Sequence, residues 1–209
     1  MPRTSDHAQR REQIVDAVLR TATESGLGAV TIARVASTAQ VSVGLVQHYF
    51  DSKDALLRSS YEACLDRIGA RVEALVEQGE HARLPIRDMI AAGLAQLLPL
   101  DAEREAECRL RQEFLGMAAR NPQLTTTARD REAELVHQLE TAVTNGKECG
   151  EVAPDRDAAA SARAILALCH GIMVRSALGM APDPSPLEAA IDSVFDGDCS
   201  RSVSSERSG

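Results

Sequence analysis

The chain has 209 residues, 44 % of them hydrophobic and 26 % charged, a balance that excludes a disordered or fibrous protein and suits either one large helical body or a small domain joined to a larger one. No uninterrupted apolar run approaches the roughly 20 residues needed to span a bilayer, and the polar start MPRTSDHAQRREQ has no signal-peptide core, so a cytoplasmic protein is expected. The formal net charge of −8 is uneven: residues 1–53 hold six Lys or Arg against five Asp or Glu, a balance of +1 that leaves −9 on the remainder, so only the N-terminal quarter is free of a field that repels phosphate.

Apolar residues recur at helical spacing almost throughout, and strand-like alternation is absent, so the fold class is all-α with about nine helices. The first helix is predicted to bury Ile14, Val15, Val18, Leu19 and Ala22 and to stop at Gly26. Thr31 then caps a short helix with Ile32, Val35, Ala36 and Ala39 inward, and Ser42 caps another bearing Leu45, Val46, Tyr49 and Phe50. Neither short helix buries much alone. Packed crosswise on the first, they form a three-helix unit around Val15, Leu19, Val35, Val46 and Phe50.

Asp51 or Ser52 caps a long helix through Leu56, Leu57, Tyr61, Leu65, Ile68, Val72, Leu75 and Val76, long enough to link two lobes. Pro85, Pro99, Pro122 and Pro154, with Gly146 and Gly150, divide residues 80–180 into four more helices at roughly 85–98, 101–120, 122–147 and 155–179. A last short helix runs from Pro186 to Phe195, and the serine-rich stretch after it is expected to be disordered. The expected domains are therefore 1–53, a helix-turn-helix unit; 54–195, a larger helical lobe; and 196–209, a tail.

Val41, Ser42 and Val46, with Ala36 where two short helices cross, match the needs of a helix-turn-helix: a small crossing residue, an apolar turn residue and an N-cap. Gly44 leaves room for a sugar-phosphate rail, and Gln47 can hydrogen-bond a base edge or phosphate. His48, Tyr49 and Lys53 follow where helix N–H groups and the positive end of a dipole favour phosphate. Phe50 is expected to close the small core and Tyr49 to extend its hydroxyl toward the duplex. The candidate DNA contacts are Thr31, Ser42, Val43, Gly44, Gln47, His48, Tyr49 and Lys53. A plainer alternative stands beside each: caps for Thr31 and Ser42, core for Tyr49, surface for Lys53, structure for His48.

Thr31 to Leu57, TIARVASTAQVSVGLVQHYFDSKDALL, resembles the signature of the TetR/AcrR transcriptional repressors. The HYF ending, with FLGMAARNPQL and ALCHGIMVRSALG downstream, is most similar to the BetI-type branch. Two positions depart from the family pattern: Gln40 stands where a turn glycine is usual, and Gln47 where many members have tyrosine. The resemblance implies a non-enzymatic repressor that binds a palindromic operator as a homodimer and is released by a small-molecule effector held among the central helices. Such a pocket would lie between the long helix from Lys53 and the helices around 85–120 and 155–179, lined by Arg111, Glu113, Phe114, Met117 and His170. The identity of the effector is open. Choline is not expected, because a quaternary ammonium is best held in an aromatic cage and only Tyr61, Phe114 and Phe195 are aromatic outside the reading head.

Two modules fixed about one helical turn of DNA apart require the larger lobe to dimerise. The expected interface joins the helices near 122–147 and 155–179, through Leu135, Val136, Leu139 and Val143 on one and Ala162, Ile165, Leu166, Cys169, Ile172, Met173 and Ser176 on the other. The alternative is that one of these stripes is core within the chain.

Other functional classes fit less well. Glu134 and His137 have the Glu-x-x-His spacing of a helical di-metal site, but the second motif such a site needs is missing, so no metal or cofactor is assigned. There is no G-x-S-x-G, no phosphate-cradling glycine loop and no C-x-x-C. A redox-sensing repressor using Cys64, Cys108, Cys149 or Cys169 is compatible with the sequence but not required by it.

Overall fold

The computed structural model describes residues 3–198, with side chains from residue 7; the expectation for the tail lies, beyond residue 198, outside the described residues. Those residues form nine α-helices and no strand: α1 (Arg3–Ser25), α2 (Ile32–Ala39), α3 (Val43–Tyr49), α4 (Lys53–Ala82), α5 (Ile86–Ala95), α6 (Ala102–Ala118), α7 (Pro122–Cys149), α8 (Ala158–Ala177) and α9 (Ser185–Val194). A single 3-10 turn, Leu27–Ala29, joins α1 to α2. The chain divides into two compact units, one comprising the chain up to Arg67 with Ala106–Ala128, the other Ile68–Glu105 with the chain from Arg129.

In the first unit, α2 and α3 follow α1 around Ile14, Val15, Val18, Val35, Val46 and Phe50, each at most 4 % exposed. Leu19 is only half-buried, and Ala17, fully enclosed, takes the place expected for it. The α1 helix ends at Gly26, whose φ of +77° is open to glycine without steric cost; its ψ of 160° extends the chain rather than closing a left-handed cap. Ser52, not Asp51, caps α4, its Oγ accepting the Ala55 N–H at 3.0 Å. Tyr61 of α4 and Phe114 of α6 stack face to face with centroids 3.8 Å apart and planes within 5°.

In the second unit, the α7–α8 junction is closed by a carboxylate. Glu151 is 2 % exposed and accepts the Ile86 N–H at 2.8 Å and the Arg87 N–H at 2.9 Å, so it caps α5 across 65 residues of sequence. Gly197 donates its N–H to the Glu151 carbonyl at 3.0 Å. Gly146 has no room for a side chain, since a Cβ there would stand 2.6 Å from Val152 and 2.9 Å from Phe195. Asp101 caps α6 and also pairs with Arg104; the Arg104 backbone N–H, the largest cause, holds its carboxyl below the ordinary value.

One expectation is corrected here. On α8, Ala162, Ile165, Leu166, Cys169, Ile172 and Met173 are 0–7 % exposed within the single chain, so this stripe is core and not a surface for a second copy. Its side chains are larger than those on the opposite face, and burying them gains more. The uncovered row is Ala164, Ala167, Leu168, Gly171, Val174 and Arg175, continued by Leu178 at the C-cap. On α7, Leu139 and Val143 are likewise buried, and Leu135 and Val136 are half-buried.

Two other sequence features have plain structural settings. Glu134 pairs with Arg131 at 3.0 Å. Cys64, Cys108, Cys149 and Cys169 are all buried, the usual situation of a thiol that serves as a small hydrophobe.

Candidate nucleic-acid interface

The geometry of the reading head follows from how the chain leaves α2. Gln40 takes the left-handed conformation, φ 57° and ψ 42°, at the position where a turn glycine would sit at lower cost. The Val41 N–H returns to the Ala36 carbonyl at 2.9 Å and the Gln40 N–H to Ser37 at 3.1 Å, the paired bonds that finish a helix with one left-handed residue. The turn is thus formed without glycine. Its two remaining carbonyls accept side chains from α1, Thr38 from Arg20 at 3.4 Å and Ala39 from the amide of Gln13 at 2.8 Å.

Both short helices start on hydroxyl caps: Thr31 accepts the Arg34 N–H at 3.2 Å and Ser42 the Leu45 N–H at 3.1 Å. Val46 and Phe50 face inward at 0 % and 3 % exposure, with the Arg11 guanidinium 5.4 Å from the Phe50 ring centroid. The opposite face of α3 presents Ser42, Val43, Gly44, Gln47 and His48 to solvent. Val43 is 44 % exposed, an apolar group of the kind that meets a thymine methyl.

Gly44 is the most informative of these residues. A Cβ built there meets nothing closer than the Ser42 Oγ at 4.0 Å, and its φ is not positive, so neither packing nor backbone conformation inside the chain calls for glycine. Glycine within a helix costs about 0.5–1 kcal/mol relative to alanine. The space it leaves faces outward.

Tyr49 is half-buried, and its hydroxyl lies 3.0 Å from Nδ1 of His7 on α1. The His48 ring meets Tyr49 edge-on at 5.4 Å and lies 6.4 Å from the His7 ring. His7 was not legible in the sequence as part of this cluster, because 42 residues separate it from Tyr49. Lys53 is exposed at the first position of α4, beside the Ser52 cap.

The residues named for ligand contact are divided between the units. Arg111, Glu113, Phe114 and Met117 lie on α6 in the first unit, and His170 lies on α8 in the second, 3.5 Å from Glu132. Arg111 and Phe114 are 4 % and 1 % exposed, and Met117 is half-buried. Glu113 already has a partner, accepting the Leu27 N–H at 2.5 Å where the 3-10 turn begins. No buried side-chain N or O among the described residues lacks a hydrogen-bond partner.

Comparison with known proteins agrees with this geometry. Residues 14–59 match the family model for bacterial regulatory proteins of the tetR family, and residues 85–197 match that for the C-terminal part of BetI-type transcriptional repressors. The chain is 29 % identical over 182 residues to the HTH-type transcriptional regulator BetI of Serratia proteamaculans, covering 85 % of this chain and 86 % of that one. A transcriptional regulator from Rhodococcus sp. Rha1 superimposes with a TM-score of 0.71 at 29 % identity, over 87 % of this chain and 91 % of the other. A regulator from Saccharomonospora viridis, solved in complex with choline, shares the fold with a TM-score of 0.71 at 18 % identity, over 89 % of this chain and 95 % of the other.

Proposed function

The chain belongs to the TetR family of bacterial regulatory proteins and carries a C-terminal region of the BetI type, and from that premise we propose that it is a cytoplasmic repressor, without catalysis of its own, that grips a palindromic operator as a homodimer and lets go when a small molecule binds. Gly44 carries the DNA part of this reading. Gly69 and Gly116 are as open, but Gly44 alone of the three stands on the exposed face of the second short helix of a helix-turn-helix, where a sugar-phosphate rail comes close to the backbone. Around it, Thr31, Ser42, Val43, Gln47, His48, Tyr49 and Lys53 serve as the contacts. The exposed Gln47 and Val43 face base edges, and Tyr49 and Lys53 face phosphates. The proposed functional division remains 1–53 for DNA and 54–195 for effector and partner.

For dimerisation the supporting observation lies on α8. Its uncovered row combines small and apolar residues with Arg175, and a Cβ at Gly171 would meet nothing within 4 Å. A second copy of α8, related by a two-fold axis, is the occupant that a self-complementary row suits. α8 is also apolar and long enough, by composition, to cross a bilayer, but one face of it is the chain's own core.

The effector candidates remain Arg111, Glu113, Phe114 and Met117 on α6, with His170 as a separate candidate on α8. Choline is not the effector in this reading. Tyr61 and Phe114 spend one face each on the other, and Phe195 is 4 % exposed, which leaves poor material for a cage. Calorimetry with choline checks this, and tight binding would refute it. A flexible apolar or amphipathic ligand fits the lobe better.

The deciding experiment is selection of genomic fragments by the purified full chain at physiological salt, followed by sequencing. Enrichment of a palindromic site supports the reading. Weak binding to all fragments that vanishes as salt rises refutes it.

A further inference from the structure

Tyr49 cannot use one hydrogen twice. Its hydroxyl carries a single proton, and Nδ1 of His7 lies 3.0 Å away. A neutral His7 with a lone pair on Nδ1 accepts that proton's hydrogen bond, so the hydrogen is turned toward α1 and only oxygen lone pairs are left for a neighbour. A phosphate oxygen, itself an acceptor, meets the wrong polarity. A protonated His7 carries hydrogen on both ring nitrogens, and Nδ1 must then donate. The Tyr49 oxygen accepts, and its own hydrogen is free to point outward.

We propose that His7 is a positioning residue that sets the direction of the Tyr49 hydroxyl, so that the reading head grips phosphate more tightly when His7 takes up a proton. This rests on the reading of Tyr49 as a backbone contact given above. No bond between heavy atoms changes; the proton comes from solvent, forms the second N–H of the His7 ring and returns to solvent when that bond breaks.

Among the described side chains, the groups that face His7 come from α3 and α1. From α3 it faces Tyr49, with ring centroids 5.7 Å apart, and His48 at 6.4 Å. On α1 the next turn holds Arg10, which donates to Gln13 at 2.9 Å, and Arg11, which donates to Ser59 at 2.7 Å and lies over Phe50. Asp51 and Lys53, both exposed, follow at the α3–α4 junction. An operator phosphate adds a negative charge beside the cluster. By linkage, DNA that binds the protonated form better must also draw a proton onto His7.

The test compares the full chain with His7→Phe and Tyr49→Phe by fluorescence anisotropy at constant ionic strength. The probe is a labelled duplex of about 30 base pairs carrying the site recovered by genomic selection, long enough for two half-sites. Far-ultraviolet circular dichroism at each pH confirms that all three proteins are folded. The wild type is expected to tighten by about tenfold per dimer between about pH 8 and about pH 6, the range in which histidine changes charge. His7→Phe keeps a ring but cannot accept, so it is expected to bind more tightly than wild type at the upper pH and to lose the pH dependence. Tyr49→Phe is expected to bind weakly and with the same loss.

A wild type with no pH dependence overturns the proposal. So does a pH dependence that survives in His7→Phe, which assigns it to another group, or in Tyr49→Phe, which makes it a direct charge effect. If Tyr49→Phe binds as tightly as wild type at both pH values, the contact reading of Tyr49 has failed instead. If no variant binds DNA, the repressor reading has failed.

Discussion

Gln13 donates its side-chain amide to the Ala39 carbonyl across 2.8 Å, so α1 closes the end of α2 at the residue before Gln40 turns left-handed. The turn is held by this contact and by the two returning backbone bonds, while Gln40 supplies only a tolerated conformation. Gln40→Gly removes a cost of roughly 1–2 kcal/mol and adds unfolded-state freedom worth somewhat less, so a small gain of about 0.5 kcal/mol is expected. Gln40→Val, stiff and branched, is expected to lose about 1 kcal/mol or more. Urea melts of both rank them; equal midpoints would show that the left-handed residue is not a constraint.

Removing the buried carboxylate that caps α5 is expected to be costly. Glu151→Ala leaves the Ile86 and Arg87 N–H groups without their acceptor, a loss of about 2–3 kcal/mol. Glu151→Gln retains one acceptor oxygen and is expected to lose about half as much. A thermal melt of Glu151→Ala coincident with wild type would rule out the capping role.

On α8, the two faces predict opposite failures. Ala167→Arg, on the uncovered row, is expected to leave the melt nearly unchanged and to convert dimer to monomer in light scattering. Operator affinity should fall by about 100-fold or more with the loss of the tethered second head. Ile165→Ala, on the buried row, is expected to lower stability by about 2–4 kcal/mol with the dimer retained in the folded fraction. If Ala167→Arg remains dimeric, the interface lies elsewhere.

Within the reading head, Lys53→Ala should weaken binding to every sequence alike and reduce the salt slope by about one unit per head. Gln47→Ala should instead relax preference at particular base pairs, at a cost of about 1–3 kcal/mol on the best site. Uniform loss in both variants would remove Gln47 from base readout.

Much of this molecule was legible in the sequence because its punctuation is local. Thr31, Ser42 and Ser52 cap the helices that begin beside them, and Gly26, Pro85 and Pro122 stand at breaks that apolar spacing alone would leave vague. Periodicity also found one row of α8, the one through Ile165 and Met173, and missed the other. It shows that a helix has an apolar face but not whether that face meets its own chain or another, and here the bulkier face went inward. The contacts that escaped are long-range. Glu113 reaches Leu27 across 86 residues and Glu151 reaches Ile86 across 65, and no local pattern distinguishes these carboxylates from the many solvated ones in an acidic chain.

The bond from Gly197 to Glu151 ties completion of the second unit to a residue made late in synthesis. The first compact unit draws on nothing beyond Ala128, so all of its elements exist while the ribosome is still making α7. The second unit cannot finish in the same way: the carboxylate that caps α5 sits in a junction clasped by one of the last described residues, and α9 packs against both α5 and α8. At about 5–20 residues per second, the last residue of the first unit is made several seconds before the residue that clasps the second. A nascent chain therefore passes through an interval in which the elements of its first unit are all present while the clasp on the second is still missing.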